Sequence, residues 1–478
     1  MTRQARVYRP GQFEPEEHFY PKALNAQIHP MVAHFFNLDH NQLVGRYAYL
    51  NPRVNGESLN VLLNTPAKFF HWGGADLFYV TTEHGNRQMV VLETNSCPSG
   101  QKSMPPRSDG DEHRGYRFLI EESFLAALKG RRLSKGVLAV IYDKNPMEVT
   151  GYAATLADLT GEDVWLVPCF DGEDNLVTNI DGLLHFKTPE GEQLPIRACL
   201  RYVTQKPWNR IPVITKTFVY NSTLVCLAGG RNKLVAAKAY DIFNATLRSD
   251  GLNIHIPETV EGVGKLEIPM CVKRFGGFAV IKNPYSNAGQ GVFTITSEVE
   301  LEEFMQMEHD YDQFIVQSLI GHAKWSSKTD QGKYFHIGTV PNKKGEIYVA
   351  DLRMMVYSTP QGFRPAALYA RKTRAPLTES LEPGQSSWEL LGTNLSIKKG
   401  KDQWDSDTHR LMLMDRKDFN NLGIGLDDLI EAYIQAVLSV TAIDKMSEAL
   451  INAKGGFKMK LFKSLNHDPV LCSEVVTK

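Results

Sequence analysis

The residues DLFYVTT (Asp76–Thr82), EHGN (Glu83–Asn86) and RQMVVLETN (Arg87–Asn95) decide how this chain is read. Two β-prone segments flank a four-residue turn sequence containing a glycine, so the spacing predicts an antiparallel hairpin. Side chains two apart on a strand share a face, so Glu93 and Asn95 present two oxygens together. If the turn centres between His84 and Gly85, Asp76 stands directly opposite Glu93 on that face. Opposed carboxylates repel unless a cation lies between them, and Asp, Glu and Asn oxygens suit a hard ion such as Mg2+. The same residues also fit a solvated hairpin face with incidental acids.

Upstream, residues 14–50 read as helical; downstream, 99–115 is polar, rich in Pro and Gly, and reads as a loop. GVLAVIY (Gly136–Tyr142) is a continuous apolar run, a helical segment follows over 148–160, and DVWLVP (Asp163–Pro168) is a second apolar run. Strand, helix and strand within so few residues predict a βαβ unit and a parallel sheet. No GxGxxG follows Tyr142, which argues against a dinucleotide dehydrogenase. RACLRYV (197–203) reads as a third strand. Arg197 and Arg201 are four apart on it, so they share a face and could meet a substrate carboxylate. Structural pairing with acids fits them equally.

Farther on, Asn232–Phe243 is helical by composition, and FAVIK (Phe278–Lys282) is a strand that ends in a lysine before NPYSNAGQG (283–291). Backbone N–H groups of such a loop can cradle phosphate oxygens while the lysine adds a point charge. GxxxxGK[ST] is absent, so this is not a Walker A loop, and a purely structural turn has the same composition. An acidic helix over 298–308, a strand over 314–320 and a β-rich region over 333–374 follow. Arg353 and Arg371 lie in that region, and arginine suits planar contact with phosphate or carboxylate. Asn394 sits in a loop-like segment (379–409). A final helix spans roughly 426–449, with Leu426, Leu429, Ile430, Tyr433 and Val437 at helical spacing.

The chain has 478 residues, 53 of them basic and 54 acidic, for a net charge of -1. At ~150 residues per domain that length predicts two to four units. The charge balance gives no broad basic surface for nucleic acid. Six cysteines form no CxxC pair, which predicts neither a zinc site nor a disulfide framework and fits reduced thiols in the cytoplasm. The first residues lack an apolar signal core, and no apolar run reaches the ~18 residues that a membrane span requires. No heptad run or exposed apolar helix speaks to oligomeric state.

Taken together, the motifs resemble the ATP-grasp superfamily. Lys233 in GGRNKLVAAK and Lys282 before NAGQG resemble its two phosphate-binding lysines. FIVQSLIG (Phe314–Gly321) resembles the hinge that holds adenine. DLR (351–353), Arg371 and TNLS (393–396) resemble the ordered set of the ribosomal-protein-modifying glutamate ligases. Glu93-Thr-Asn95 followed by Pro98 resembles the E-x-N-x-x-P metal motif that normally ends an ATP-grasp chain. Here it comes about 190 residues before Lys282, an order similar to the circularly permuted group related to glutathionylspermidine synthetase.

The resemblance implies an α/β protein with α+β lobes, a permuted ATP-grasp fold and a Rossmann-like pre-ATP-grasp domain. Its segments would be 1–130 (the part of the core with the metal hairpin), 131–228 (Rossmann-like), 229–320 (nucleotide lobe) and 321–478 (C-terminal lobe). It implies an ATP-dependent ligase that forms a C–N bond through an acyl phosphate and releases ADP and phosphate. ATP would lie on Lys233, Lys282, Asn287, Gly289, Gln290, Gly291, Gln317, Ser318, Leu319 and Ile320. Asp76, Glu93 and Asn95 would hold Mg2+, two ions with Mn2+ able to substitute. Arg353, Arg371 and Asn394 would act on the transferring phosphoryl, and Arg197 and Arg201 on the substrate. Its partners would be small-molecule or peptide carboxylates and amines, not nucleic acid or membrane. A phosphotransferase on the same fold, or a nucleotide-binding protein without catalysis, is the alternative. Lys238 competes with Lys233 for one role, five residues along the same helix.

Overall fold

The hairpin forms as Trp72–Thr82 (β2) and Arg87–Ser96 (β3), in a computed structural model that describes residues 3–107, 110–172, 175–286, 289, 291–382, 385–398 and 404–475. On its other edge β2 pairs with Ala350–Thr359 (β15) and, near its tip, with Tyr334–His336 (β14). Gly362–Lys372 (β16) and Leu411–Met412 complete this antiparallel sheet. Residues 72–96 therefore share one sheet with residues more than two hundred positions later in the chain. Helix Leu426–Ala449 (α5) packs on β2, β3 and β15. Leu429, Ile430, Tyr433 and Val437 are fully buried, and so are Ala432, Ala436 and Ser439 on other faces. Each large apolar side chain so buried contributes about 1.5–3 kcal/mol. Of the buried polar groups of α5, Gln435, Ser439, Asp444 and Ser447 are hydrogen-bonded, and the Thr441 hydroxyl is not. Asp444 accepts the N–H groups of Lys68, Phe69 and Phe70 at 3.0, 2.8 and 2.8 Å, which pins the chain entering β2.

The expected strand–helix–strand is Val137–Tyr142 (β4), Pro146–Thr160 (α1) and Val164–Pro168 (β5), with β4 parallel to β5. Proline at the first helical position and Gly161, at φ 68°, just past the end delimit α1 by ordinary capping rules. Gln193–Tyr202 (β8) lies parallel on the other side of β4, and Phe218–Tyr220 (β9) parallel to β8. Val177–Ile180 (β6) and Leu183–Lys187 (β7) form a hairpin on the first half of β8. Arg6–Tyr8 (β1) pairs antiparallel with β5, so these early residues join the parallel sheet and not the hairpin's sheet. The sequence reading had passed over β1, β6, β7 and β9, which are three to five residues long and carry little periodicity.

The third body is a four-stranded antiparallel sheet, ordered Thr259–Gly264 (β10), Gln313–Ser318 (β13), Ala279–Lys282 (β11) and Val292–Ile295 (β12). Ile268–Arg274 (α3) and Glu298–Gln306 (α4) cover it, around a separate core that includes Phe275, Ile281, Phe304 and Phe314. Lys233–Leu247 (α2) leads into this body, with Asn232 capping it by accepting Val235 N–H at 3.1 Å. Among the described residues no helix is long and apolar enough to cross a membrane.

Candidate active site

The three sheets enclose a cleft of about 1970 Å³. The β2–β3 hairpin forms its floor, and its register differs in an instructive way from the one read from the sequence. Near the turn the partners are Thr81 with Arg87 and Leu77 with Val91, one residue away from the expected register. A bulge at Leu92 then restores it, and Asp76 does face Glu93. A bulge leaves one residue outside the ladder and re-aims its neighbours. Here the Leu92 carbonyl, released from pairing, accepts Lys282 Nζ at 3.1 Å.

From this point the register builds a row across four strands: Glu93, Asp76, Arg353 and Tyr369. The next row carries Phe78, Asp351 and Arg371. Arg353 donates to both Asp76 oxygens, at 2.5 and 2.6 Å, and Arg371 donates to Asp76 Oδ2 at 2.9 Å. Arg371 also clasps Asp351, through Nε at 2.9 Å and through Nη2. All four side chains are buried or nearly so. Burial alone would raise the Asp76 carboxyl, but the two guanidiniums hold it well below the usual carboxylate range. Asp351 is raised, because burial, with repulsion from Asp76, outweighs the pull of Arg371 and Arg353.

Across the cleft stand the two lysines. Lys233, at the start of α2, donates to the Ser286 carbonyl at 3.1 Å and hydroxyl at 3.0 Å. Its Nζ lies 3.8 Å from Glu93 Oε2. Burial pushes Lys282, at the end of β11, down to about 8, with Glu93 opposing and Lys233 adding to the push. Glu93 is lowered: burial would raise it, but the two lysines and the Asn95 amide, which donates to Oε1 at 3.0 Å, prevail. Lys238 pairs with Glu261 at 3.3 Å and is not part of the cleft lining, so Lys233 is the lysine of this pair that faces the cleft.

Gln317, Ser318 and Ile320 line the cleft, and the Gln317 amide donates to Thr259 Oγ1 at 2.9 Å. Leu319 packs into another buried cluster, and its N–H donates to Ser327 Oγ at 2.6 Å. Gly289 and Gly291 are at φ 74° and 67°, a region that favours glycine. A Cβ at Gly289 would meet Trp388 and Asn394, which places Asn394 against this loop. Asn287 and Gln290 lie outside the described residues.

Arg197 and Arg201 do not line the cleft. The pairing of β8 with β4 is irregular at Arg197, which interrupts the alternation that would have aligned the two arginines. Arg197 is instead bound by both Glu162 oxygens at 2.7 Å and by the Gly136 carbonyl at 2.9 Å. Arg201 is buried and donates to the Asn221 carbonyl at 2.6 Å and to Cys226 Sγ at 2.8 Å. Three cleft residues escaped the sequence reading. Asp351 was quoted there only as part of DLR. Arg231, in the quoted GGRNK, donates to Asn95 Oδ1 at 2.8 Å and to the Ser96 carbonyl at 2.6 Å. Lys144 follows the first strand of the βαβ unit, and that location was itself a signal, because open α/β sheets bind ligands beyond the carboxyl ends of their strands.

No family model and no curated protein matches the chain. Among solved structures it is similar to a glutathione synthetase-like effector from Globodera pallida, at 8% identity over 73% of this chain and 86% of that one, with a TM-score of 0.37. It is also similar to a RimK-domain ATP-grasp protein from Sphaerobacter thermophilus (13% identity, 48% and 90% covered, TM-score 0.27). A third is D-alanyl-alanine synthetase A from Vibrio cholerae (11% identity, 50% and 89% covered, TM-score 0.30). Likenesses this distant carry no functional argument, which rests instead on the residues of the cleft.

Proposed function

We propose that this protein is an ATP-dependent carboxylate–amine ligase on a circularly permuted ATP-grasp frame. The observation that carries the reading is the charged row Glu93–Asp76–Arg353, with Asp351–Arg371 beside it, facing Lys233 and Lys282 across one cleft. Phosphoryl transfer needs positioned charge more than a covalent side chain. The order of the chain supports the permuted form, since the hairpin precedes both the parallel sheet and the four-stranded lobe.

In this reading Gln317, Ser318 and Ile320, which line the cleft, take the adenine, and Lys233 and Lys282 neutralise the α- and β-phosphates. Lys282, lowered to about 8, is restored to its full charge by the phosphate oxygens it meets. Of the three residues expected to hold a divalent cation, Glu93 fits: its Oε2, 3.8 Å from Lys233, is at more than hydrogen-bond distance from it, whereas both Asp76 oxygens accept from Arg353 and Arg371 and Asn95 Oδ1 accepts from Arg231. Glu93 would hold Mg2+ or Mn2+ together with the phosphate oxygens, and the ion would neutralise the polyphosphate when bound; Asp76 instead serves the two arginines. A carboxylate oxygen of the acid substrate bonds to the γ-phosphorus as the bond to the β-bridging oxygen breaks and ADP departs. Arg353 and Arg371, kept charged and oriented by Asp76 and Asp351, stabilise the transferring phosphoryl and the resulting acyl phosphate. The amine nitrogen then bonds to the acyl carbon, phosphate leaves with the C–O bonding pair, and the amine proton passes to phosphate or water.

The test is ADP release with ATP and Mg2+ in the presence of pooled amino acids, polyamines and short peptides, with hydroxylamine in parallel. Pool-dependent ADP and a trapped hydroxamate are expected. AMP with pyrophosphate, or a phosphorylated acceptor without amide, would overturn the reading.

A further inference from the structure

The wall contributed by the parallel sheet contains a cation with no counterpart among the described residues. Lys144 sits in the loop Tyr142-Asp143-Lys144-Asn145-Pro146 that leaves the carboxyl end of β4 and lines the cleft. Its neighbours on both sides are tied down. Asp143 accepts the N–H groups of Thr204 and Gln205 at 2.9 and 2.7 Å and Arg210 Nη2 at 3.1 Å. Asn145 donates to Ser99 Oγ, Glu148 Oε2 and Tyr202 OH at 3.0, 3.1 and 3.0 Å. Lys144, between them, makes no hydrogen bond or ion pair with the described residues.

The surroundings of Lys144 are unfavourable to its own charge. Burial, with Arg231 and Arg353 nearby, pushes its ammonium down to about 7, and Asp143 only partly opposes them. The Asp143 carboxylate is already shared by Arg210 and two backbone N–H groups. A half-buried cation in the field of two guanidiniums is costly unless an anion joins it. The bonds of Asp143 and Asn145 fix the loop in that arrangement, and no described residue supplies the anion, which leaves it to a ligand.

We propose that the acid substrate carries a second anionic group, a carboxylate or a phosphate-type group, that binds Lys144 beside Arg231 while the reacting carboxylate lies at Arg353. This rests on the ligase reading for the place of the reacting carboxylate. It narrows the substrate to a molecule with two anionic ends, such as a dicarboxylic acid, an acidic peptide or a phosphorylated carboxylic acid.

A test that needs no turnover is trace acetylation of the intact protein at pH 7, with the rate at each lysine read by peptide mapping. The probes are glutarate, 3-phosphonopropionate and butyrate at millimolar concentration. Glutarate, 3-phosphonopropionate or both should slow labelling of Lys144 at least fivefold without slowing Lys238, and butyrate should not. The better of the two identifies the second group as carboxylate or phosphate-type. Equal protection by butyrate, or protection by none, overturns the proposal. Protection without any ADP release would leave the anion site standing and sink the ligase reading instead. Where a turned-over acid is found, Lys144→Met should raise its KM about tenfold with KM for ATP unchanged, and Lys144→Arg should recover most of the loss. An unchanged KM for the acid in Lys144→Met would count against the site.

Discussion

The two long walls of the cleft treat charge in opposite ways. On the six-stranded sheet each guanidinium has a carboxylate: Arg353 is bidentate on Asp76, and Arg371 bridges Asp76 and Asp351. On the parallel sheet Lys144 is held in place by its neighbours yet has no hydrogen-bond or ion-pair partner among the described residues. The first wall is preorganised by its own ion pairs and needs no ligand to hold its shape. The second is completed only by what binds. On the proposed reading, the difference separates groups that stabilise developing charge from groups that recognise charge already on a substrate.

Glu93→Ala should break the comparison most severely, because it removes the carboxylate that faces both lysines. ADP release should fall below detection while the fold persists, and retained activity would remove Glu93 from the site. Asp76→Ala should come next. It leaves Arg353 buried without its carboxylate and should cost about 3–5 kcal/mol in a urea unfolding curve, along with loss of turnover. If the stability were unchanged, the paired wall would not be held by its ion pairs.

Lys144→Met sharpens the contrast through pH. The folded-state value of Lys144 is lowered to about 7 against an ordinary 10.5. Between those values the unfolded chain binds the extra proton, so wild-type stability rises with pH there. The penalty on the folded state is full below about 7 and fades toward 10.5. The variant should therefore gain stability at pH 6 in urea melts, with the gain shrinking as pH rises through that window. A pH-independent difference would contradict the environment described for Lys144. Lys238→Ala, away from the cleft, should leave ADP release within about twofold of wild type while Lys233→Ala abolishes it. Arg197→Ala should have the smallest effect: loss of its partly exposed pair with Glu162 should cost under about 1 kcal/mol and leave the KM values unchanged.

Local signals were legible where period and turn chemistry coincide. The hairpin, the strands at 137–142 and 164–168 and the helix at 426–449 were readable because each depends on neighbours in sequence. Lys282 could be read as a strand-end lysine for the same reason. The Leu92 bulge could not, because nothing in RQMVVLETN distinguishes a bulged from a regular strand until Lys282 arrives to take the freed carbonyl. The same period-two reasoning that paired Asp76 with Glu93 misled at Arg197 and Arg201, where an irregular register and deep burial replaced a shared face with two unrelated structural roles. Short strands such as Arg6–Tyr8 were invisible, since their partners lie far away in sequence.

Sequence alone determined which residues alternate, where chains turn and which helices have an apolar face, because those depend on backbone geometry over a few residues. Tertiary structure decided which charge neutralises which. Asp76 and Arg353 are 277 positions apart, and their pairing depends on strand order and register. Whether Lys144 has a partner is decided the same way, by what folding brings within a few ångströms of its ammonium, and among the described residues no carboxylate forms an ion pair with it.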